Sequence, residues 1–328
     1  MYTINLMPLT KCNYSCAYCY FKGYSRTDIL SLEKAESLVH EYVLHVAAKP
    51  AEVTIDIYGG EITLLPDLTR DKDYLLKLYR ICCKYADHIN LISNNSRFEE
   101  ISHVYESLND EEVSKFSCSA SLFNKERHNW KTDVYNTAML SPTPRSILTV
   151  VTRDILETPC EELLEAADLT GAESINFLQY VPSVFNTYQD ISNREYSDKI
   201  KAMIQTYLQG NYKIRLANLD RLEACFRGEY CPVNNDLVFI LPSGYFGTLA
   251  YTEQGKEFFL SFPNLQEFFR YNRNLFNYHI MKCTKEYQCP YTGRCAADHI
   301  KDWSDKDECC GFKKLLKWYQ NAVFKDNK

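Results

Sequence analysis

The sequence predicts an α/β fold: a partial (β/α)6 TIM-like barrel over residues 1–216, followed by a small cysteine-rich domain over residues 217–328. Three observations carry that expectation. Strand-like and helix-like segments alternate about six times with short links, as a parallel sheet with crossover helices requires. The alternation stops near Leu216, and about 215 residues fall short of the roughly 250 that a complete eightfold barrel takes. Beyond that point the composition changes, and seven of the 14 cysteines fall within residues 217–311.

The elements follow in order. Residues 3–9, TINLMPL, read as a short apolar strand. From Ser31 onward, Leu32, Ala35, Leu38, Val39, Tyr42, Val43 and Val46 share one face at a 3.6-residue period, which predicts a helix. Val53, Ile55 and Ile57 then alternate with Thr54, Asp56 and Tyr58, the pattern of a strand, and Gly59-Gly60 end it in a turn. A helix is expected near 71–86, a strand at 88–94, a helix near 98–108 and a strand at 115–122. Strands at 145–151 and 173–181 flank a helix near 160–170. The links after the strands carry polar and glycine residues, as expected if a site lies at the C-terminal strand ends. Past Leu216, Leu237–Leu241 and Tyr245–Tyr251 around Gly244 predict a hairpin, and a helix is expected near 264–278. Phe312, Leu315, Leu316, Tyr319 and Val323 form the apolar face of a last helix. There is no internal repeat and no low-complexity linker.

Composition narrows the function classes. Hydrophobic residues make up 45% of the chain and aromatics 14%, which suits a packed core rather than disorder. A net charge of -6 disfavours non-specific nucleic-acid binding. Residues 1–10, MYTINLMPLT, lack the basic and apolar regions of a secretory signal. The longest uncharged stretch, Leu237 to Thr252, is interrupted by Pro242, Ser243, Gly244 and Gly247, so no membrane span is expected. A cytoplasmic protein follows, and reducing conditions there favour metal binding over disulfides for clustered cysteines.

The first cluster is Cys12, Cys16 and Cys19, a C-x3-C-x2-C loop directly after the first strand. No fourth Cys or His follows nearby, as structural zinc normally requires. A four-iron cluster on three cysteines keeps one iron without a protein ligand, and that open position is a chemical site. A zinc site completed from elsewhere, or plain core cysteines, are the competing readings. Gly59-Gly60-Glu61 follows the second strand. Adjacent glycines let backbone approach a ligand closely, and a carboxylate can accept hydrogen bonds from an ammonium group. Alone, that tripeptide is an ordinary turn; its position behind the cysteine loop gives it meaning.

Together these residues resemble the radical S-adenosylmethionine (SAM) enzymes. The resemblance rests on Cys12, Cys16, Cys19, Tyr18 and the run YGGEITLLP at 58–66, and covers roughly 1–215. It implies a [4Fe–4S] cluster on the three cysteines, whose open iron chelates the SAM amine and carboxylate. It implies reductive cleavage of SAM to methionine and a 5′-deoxyadenosyl radical that abstracts a substrate hydrogen. By the same resemblance Gly59, Gly60 and Glu61 hold the methionyl amine, Tyr18 lies near the adenine, and Asn94 contacts the ribose. Ser121 and Gln179 also match SAM-contacting positions. Ile62 departs from the proline that many members carry there.

Cys225-x5-Cys231, Cys283-x5-Cys289-x5-Cys295 and Cys309-Cys310 form a third set. Alone they divide between zinc and iron–sulfur. After such a core they resemble the SPASM and twitch extensions, which carry auxiliary [4Fe–4S] clusters. That resemblance implies one auxiliary cluster from Cys283, Cys289, Cys295 and Cys309 or Cys310. A second, using Cys225 and Cys231 with His299 and the remaining thiol, is left open. The fit is partial: a cysteine expected soon after Gly244 is missing, and His299 stands where a cysteine is usual. Cys82, Cys83, Cys118 and Cys160 read as packing residues. His128 and Trp130 on the loop after the fourth strand, and Tyr side chains at 187–189 and 194–196 beyond the sixth, could line a substrate groove. In Asp298, Asp302 and Asp305 a proton acceptor could lie.

The resemblance implies an enzyme modifying a peptide or protein by crosslinking, epimerisation or oxidation, with a flavodoxin- or ferredoxin-type reductant and neither membrane nor nucleic-acid partners. Its extension is common among maturases of ribosomally made peptides and sulfatases. No separate leader-peptide domain is expected before Cys12, so recognition falls to the barrel mouth, the C-terminal domain or another protein. The alternative is a dehydrogenase or epimerase of a sugar or antibiotic precursor. A non-catalytic iron–sulfur or zinc protein is the third reading, but a pure electron carrier would close its cluster with a fourth cysteine.

Overall fold

A computed structural model describes residues 2–19, 28–46, 52–122, 130–180, 191–228, 237–249, 259–286, 288–292 and 312–324. Its strands are β1 (Tyr2–Leu6), β2 (Val53–Ile57), β3 (His88–Ser93), β4 (Phe116–Ser121), β5 (Ser146–Val150), β6 (Ser174–Leu178), β7 (Arg215–Leu216), β8 (Leu237–Ile240), β9 (Phe246–Leu249) and β10 (Phe259–Phe262). They form one sheet in the order β10-β9-β8-β1-β2-β3-β4-β5-β6-β7. Every pair from β8 to β7 across the sheet is parallel. The pairs β8–β9 and β9–β10 are antiparallel. Helices cross between successive strands from β1 to β7, so the core is a partial, open barrel.

The alternation read in β2 sorts its two faces. Val53, Ile55 and Ile57 are buried against the helix Leu32–Val46, through Ala35, Leu38, Val39 and Tyr42, and against Leu78, Tyr79 and Cys82 of the helix Tyr74–Cys83. A second core under β5 and β6 joins Ile147, Ile175 and Phe177 to Ile200, Met203 and Ile204 and to Leu315 and Leu316 of the last helix. The opposite face is polar. Asn90 Nδ2 on β3 donates to Asp56 Oδ1 on β2 at 3.1 Å, and Ser119 Oγ on β4 donates to Asn90 Oδ1 at 2.9 Å.

The expected hairpin of the C-terminal region forms, and it extends the barrel's own sheet. β8 lies parallel to β1 in the register Thr3↔Leu237 to Leu6↔Ile240. β1 has β2 on one side only, and β8 satisfies the hydrogen-bonding groups of its other edge. β1 ends at Leu6 rather than residue 9, where Pro8 supplies no N–H to continue a ladder.

Two helices replace expected loops. Trp130, read as a loop residue, begins the helix Trp130–Ala138. Asn193–Gln209 is helical and opens on a capping box: Ser192 Oγ accepts the Glu195 N–H at 3.2 Å, and Glu195 Oε2 accepts the Ser192 N–H at 2.9 Å. Tyr196 therefore does not line a groove. It is buried, and its hydroxyl donates to the Phe177 carbonyl at 2.9 Å. Tyr188 and His128 lie outside the described residues. No helix among the described residues is long and apolar enough to cross a membrane.

Candidate active site

β1 delivers the chain to the loop that carries Cys12, Cys16 and Cys19. The Cys19 N–H donates to the Cys16 carbonyl at 3.1 Å, which turns the loop back on itself. Cys16 is buried, whereas Cys12 and Cys19 are partly exposed. Two donors address the Cys12 sulfur: the Tyr14 N–H at 3.4 Å and Asn94 Nδ2 at 3.6 Å.

The glycine pair at the end of β2 lies against the approach to this loop. The Gly60 N–H donates to the Leu9 carbonyl at 3.1 Å and the Glu61 N–H to the Lys11 carbonyl at 2.9 Å. A Cβ on Gly59 would lie 2.1 Å from the Leu9 oxygen, and one on Gly60 2.0 Å from the Lys11 oxygen. Only glycine permits this backbone-on-backbone contact.

Glu61 is 1% exposed. Its Oε1 accepts Ser93 Oγ at 2.9 Å, Thr63 Oγ1 at 2.8 Å and the Thr63 N–H at 3.1 Å. Its Oε2 accepts the Asn94 N–H at 2.7 Å. Four donors from the chain satisfy a carboxylate removed from water, as burial of such a charge demands. Asn94 Nδ2 also donates to Asn13 Oδ1 at 3.0 Å, and Asn13 Nδ2 donates to Ser96 Oγ at 2.7 Å. Glu61, Asn94 and Cys12 thus share one hydrogen-bonded network at adjacent strand ends.

The remaining positions divide. Ser121 ends β4 and is partly buried. Tyr18 packs against the second core. Gln179, just past β6, is buried, and its Nε2 donates to Asn193 Oδ1 at 2.6 Å. Cys225 is buried in the helix Ala217–Arg227. Cys283 is buried in the π-helical turn Lys282–Glu286, and the Cys289 N–H donates to its carbonyl at 2.8 Å. Cys231, Cys295, Cys309, Cys310, His299, Asp298, Asp302 and Asp305 lie outside the described residues.

Cys82 and Cys118 are buried in the first core, Cys83 packs against it and Cys160 against the second, as packing residues do. Burial pushes the Cys118 thiol up to about 12 and raises the Cys82 thiol further, so neither is a thiolate at neutral pH.

Ser93, Thr63, Asn13 and Ser96 escaped the sequence reading. The polar run Ser93-Asn94-Asn95-Ser96 at a strand end was the available signal, and only Asn94 was singled out. Asp56 also escaped it. Burial raises its carboxyl pKa, and the Asn90 hydrogen bond offsets part of that rise.

Among the described residues, no three Cys, His, Asp or Glu side chains converge as a single-ion site requires. A four-iron cluster binds its cysteines through different irons, so their sulfurs need not meet at one ion. The N–H groups aimed at the Cys12 sulfur fit a thiolate ligand, because hydrogen bonds favour the charged form.

No protein-family model matches the chain, and no curated protein matches it. Solved structures do. Native anSMEcpe with bound AdoMet is 15% identical, with a TM-score of 0.70, covering 99% of this chain and 98% of that one. The same protein with AdoMet and the Cp18Cys peptide gives 15%, 0.70, 99% and 99%. Streptococcus suis SuiB bound to S-adenosylmethionine is 11% identical, with a TM-score of 0.63 over 91% of this chain and 73% of that one. The chain has the fold of these structures, each of which holds AdoMet.

Proposed function

We propose that the chain is a radical SAM enzyme that modifies a peptide or protein. The observation that carries the proposal is the three-cysteine loop after β1, locked by Gly59, Gly60 and Glu61 after β2, within a fold shared with AdoMet-binding structures. A [4Fe–4S] cluster on Cys12, Cys16 and Cys19, when bound, supplies the electron that splits SAM into methionine and a hydrogen-abstracting 5′-deoxyadenosyl radical.

The chain's own groups do the positioning. Gly59 and Gly60 keep the cysteine loop against the end of β2. The side chain of Glu61 is fully engaged, so this segment addresses the methionyl amine through its backbone carbonyls. Tyr18, Ser121 and Gln179 are assigned to the adenosyl side. The polar barrel face formed by Asp56, Asn90 and Ser119 receives the substrate.

A peptide substrate is supported by neighbours of the same fold: anSMEcpe has been seen with the Cp18Cys peptide, and SuiB with the precursor peptide SuiA at 12% identity and a TM-score of 0.53. Cys283 and Cys289 begin an auxiliary [4Fe–4S] site that Cys295 and Cys309 or Cys310 complete. Cys225 and Cys231 are the thiols left for a second, so the chain holds one or two auxiliary clusters. A flavodoxin- or ferredoxin-type protein in the cytoplasm supplies electrons.

Anaerobic purification with iron and sulfide analysis tests the reading. A brown protein whose electron paramagnetic resonance (EPR) signal changes on adding SAM supports it. A colourless, zinc-loaded protein overturns it.

A further inference from the structure

We infer that the Asn94 side-chain amide donates an N–H···S hydrogen bond to the Cys12 thiolate that raises the reduction potential of the cluster held there, with Glu61 as the positioning residue that fixes this donor. The inference rests on the cluster assignment proposed above.

The orientation of the amide is determined by its partners. Asn94 Oδ1 accepts the Ser96 N–H at 2.9 Å, so its NH2 group faces Asn13 Oδ1 at 3.0 Å and Cys12 Sγ at 3.6 Å. Reversing it would set an oxygen against two acceptors and leave the Ser96 N–H facing a donor. Both amide hydrogens are therefore committed, one of them to sulfur. Toward a ribose hydroxyl the side chain offers only the second lone pair of its carbonyl.

The backbone of Asn94 is fixed as firmly. Its N–H enters Glu61 Oε2 at 2.7 Å, and three further donors from Ser93 and Thr63 hold the other oxygen. The amide dipole is thus set by the fold before any cluster binds. An electron entering an iron–sulfur cluster adds negative charge to its sulfurs. A fixed N–H pointing at one of them stabilises the reduced form more than the oxidised form, and hydrogen bonds to sulfur are a recognised determinant of cluster potential.

The test is an anaerobic redox titration of full-length protein, following the EPR signal that responds to SAM, in wild type and Asn94→Leu. The substitution is close in size and uncharged, and it removes the donor. The expected result is a more negative midpoint, seen as a several-fold smaller reduced fraction at a fixed dithionite poise, with iron content unchanged. In Glu61→Gln the lost buried charge itself favours reduction, so the readout for Glu61 is the Asn94→Leu shift in that background, which should be smaller than in wild type; an equal shift overturns the positioning role. An unchanged midpoint in Asn94→Leu with the cluster intact overturns the inference. Should Asn94→Leu hold no cluster, wild type labelled with side-chain 15N-asparagine decides. A 15N coupling to the reduced cluster supports the bond, and its absence overturns it. Wild type with no SAM-responsive cluster overturns both this inference and the reading beneath it.

Discussion

The carboxylate of Glu61 accepts the backbone N–H of Asn94 at 2.7 Å, joining the end of β2 to the end of β3. Through the side chain of Asn94 that bond reaches the sulfur of Cys12 on the loop after β1. Three consecutive strand ends are coupled by one buried acid. The glutamate of the glycine-glycine-glutamate run serves the architecture of the site before it serves any ligand.

Removing that acid should be expensive. Glu61→Ala strands buried donors on Ser93, Thr63 and Asn94. At roughly 1–3 kcal/mol for each buried group left unsatisfied, the loss is about 3 kcal/mol or more. Urea unfolding monitored by circular dichroism measures it. A loss below about 1 kcal/mol would mean that water replaces the carboxylate.

Gly60→Ala should displace the cysteine loop, because its Cβ would sit 2.0 Å from the Lys11 carbonyl oxygen. Overpacking of this kind costs about 1–3 kcal/mol. Iron retention should fall as well. Gly228→Ala is the control: its φ is +73°, but nothing lies within 4 Å of the added carbon. Its cost is about 1 kcal/mol of left-handed backbone, with iron retention unaffected. Equal iron content in the two variants would refute the role assigned to Gly60.

Acidification should weaken the tie between Glu195 and Arg153. The guanidinium of Arg153 holds the Glu195 carboxyl down at about 2, from an ordinary 4.5, and the Ser192 hydrogen bonds add to this. A folded-state pKa below the unfolded one gives stability that is present above about 4.5 and lost as pH falls towards about 2. The stability difference between wild type and Glu195→Gln should therefore shrink across that window. The side chains are 35% and 39% exposed, so added salt should also reduce it. A difference constant with pH would contradict the assignment.

Cys283→Ala should lower the iron content by about four atoms per chain, the complement of one cluster, while the SAM-responsive signal persists. Loss of that signal would place Cys283 in the first cluster's support instead.

β2 and β3 were legible because alternation with a period of two survives in them: Val53, Ile55 and Ile57 in β2, and Ile89 and Leu91 in β3, face the helices. The helix Asn193–Gln209 was missed although Tyr196, Ile200, Met203 and Ile204 repeat at helical spacing. Charged neighbours thinned that stripe, and the cap pair Ser192 and Glu195 was the stronger signal. The pairing of β8 with β1 had no local signature, since parallel partners more than 200 residues apart leave no turn between them. Within the site, Cys12, Gly60, Glu61 and Asn94 were each legible as positions. The bond from Glu61 to Asn94 was not, because it spans 33 residues and exists only once β2 and β3 pair.

The most direct measurement is SAM cleavage by anaerobically reconstituted protein with dithionite, comparing wild type with Cys16→Ala. Wild type should form 5′-deoxyadenosine and methionine, and the variant neither. Wild type that holds its iron and sulfide yet forms no 5′-deoxyadenosine, or a Cys16→Ala protein that forms as much as wild type, would contradict the radical SAM assignment.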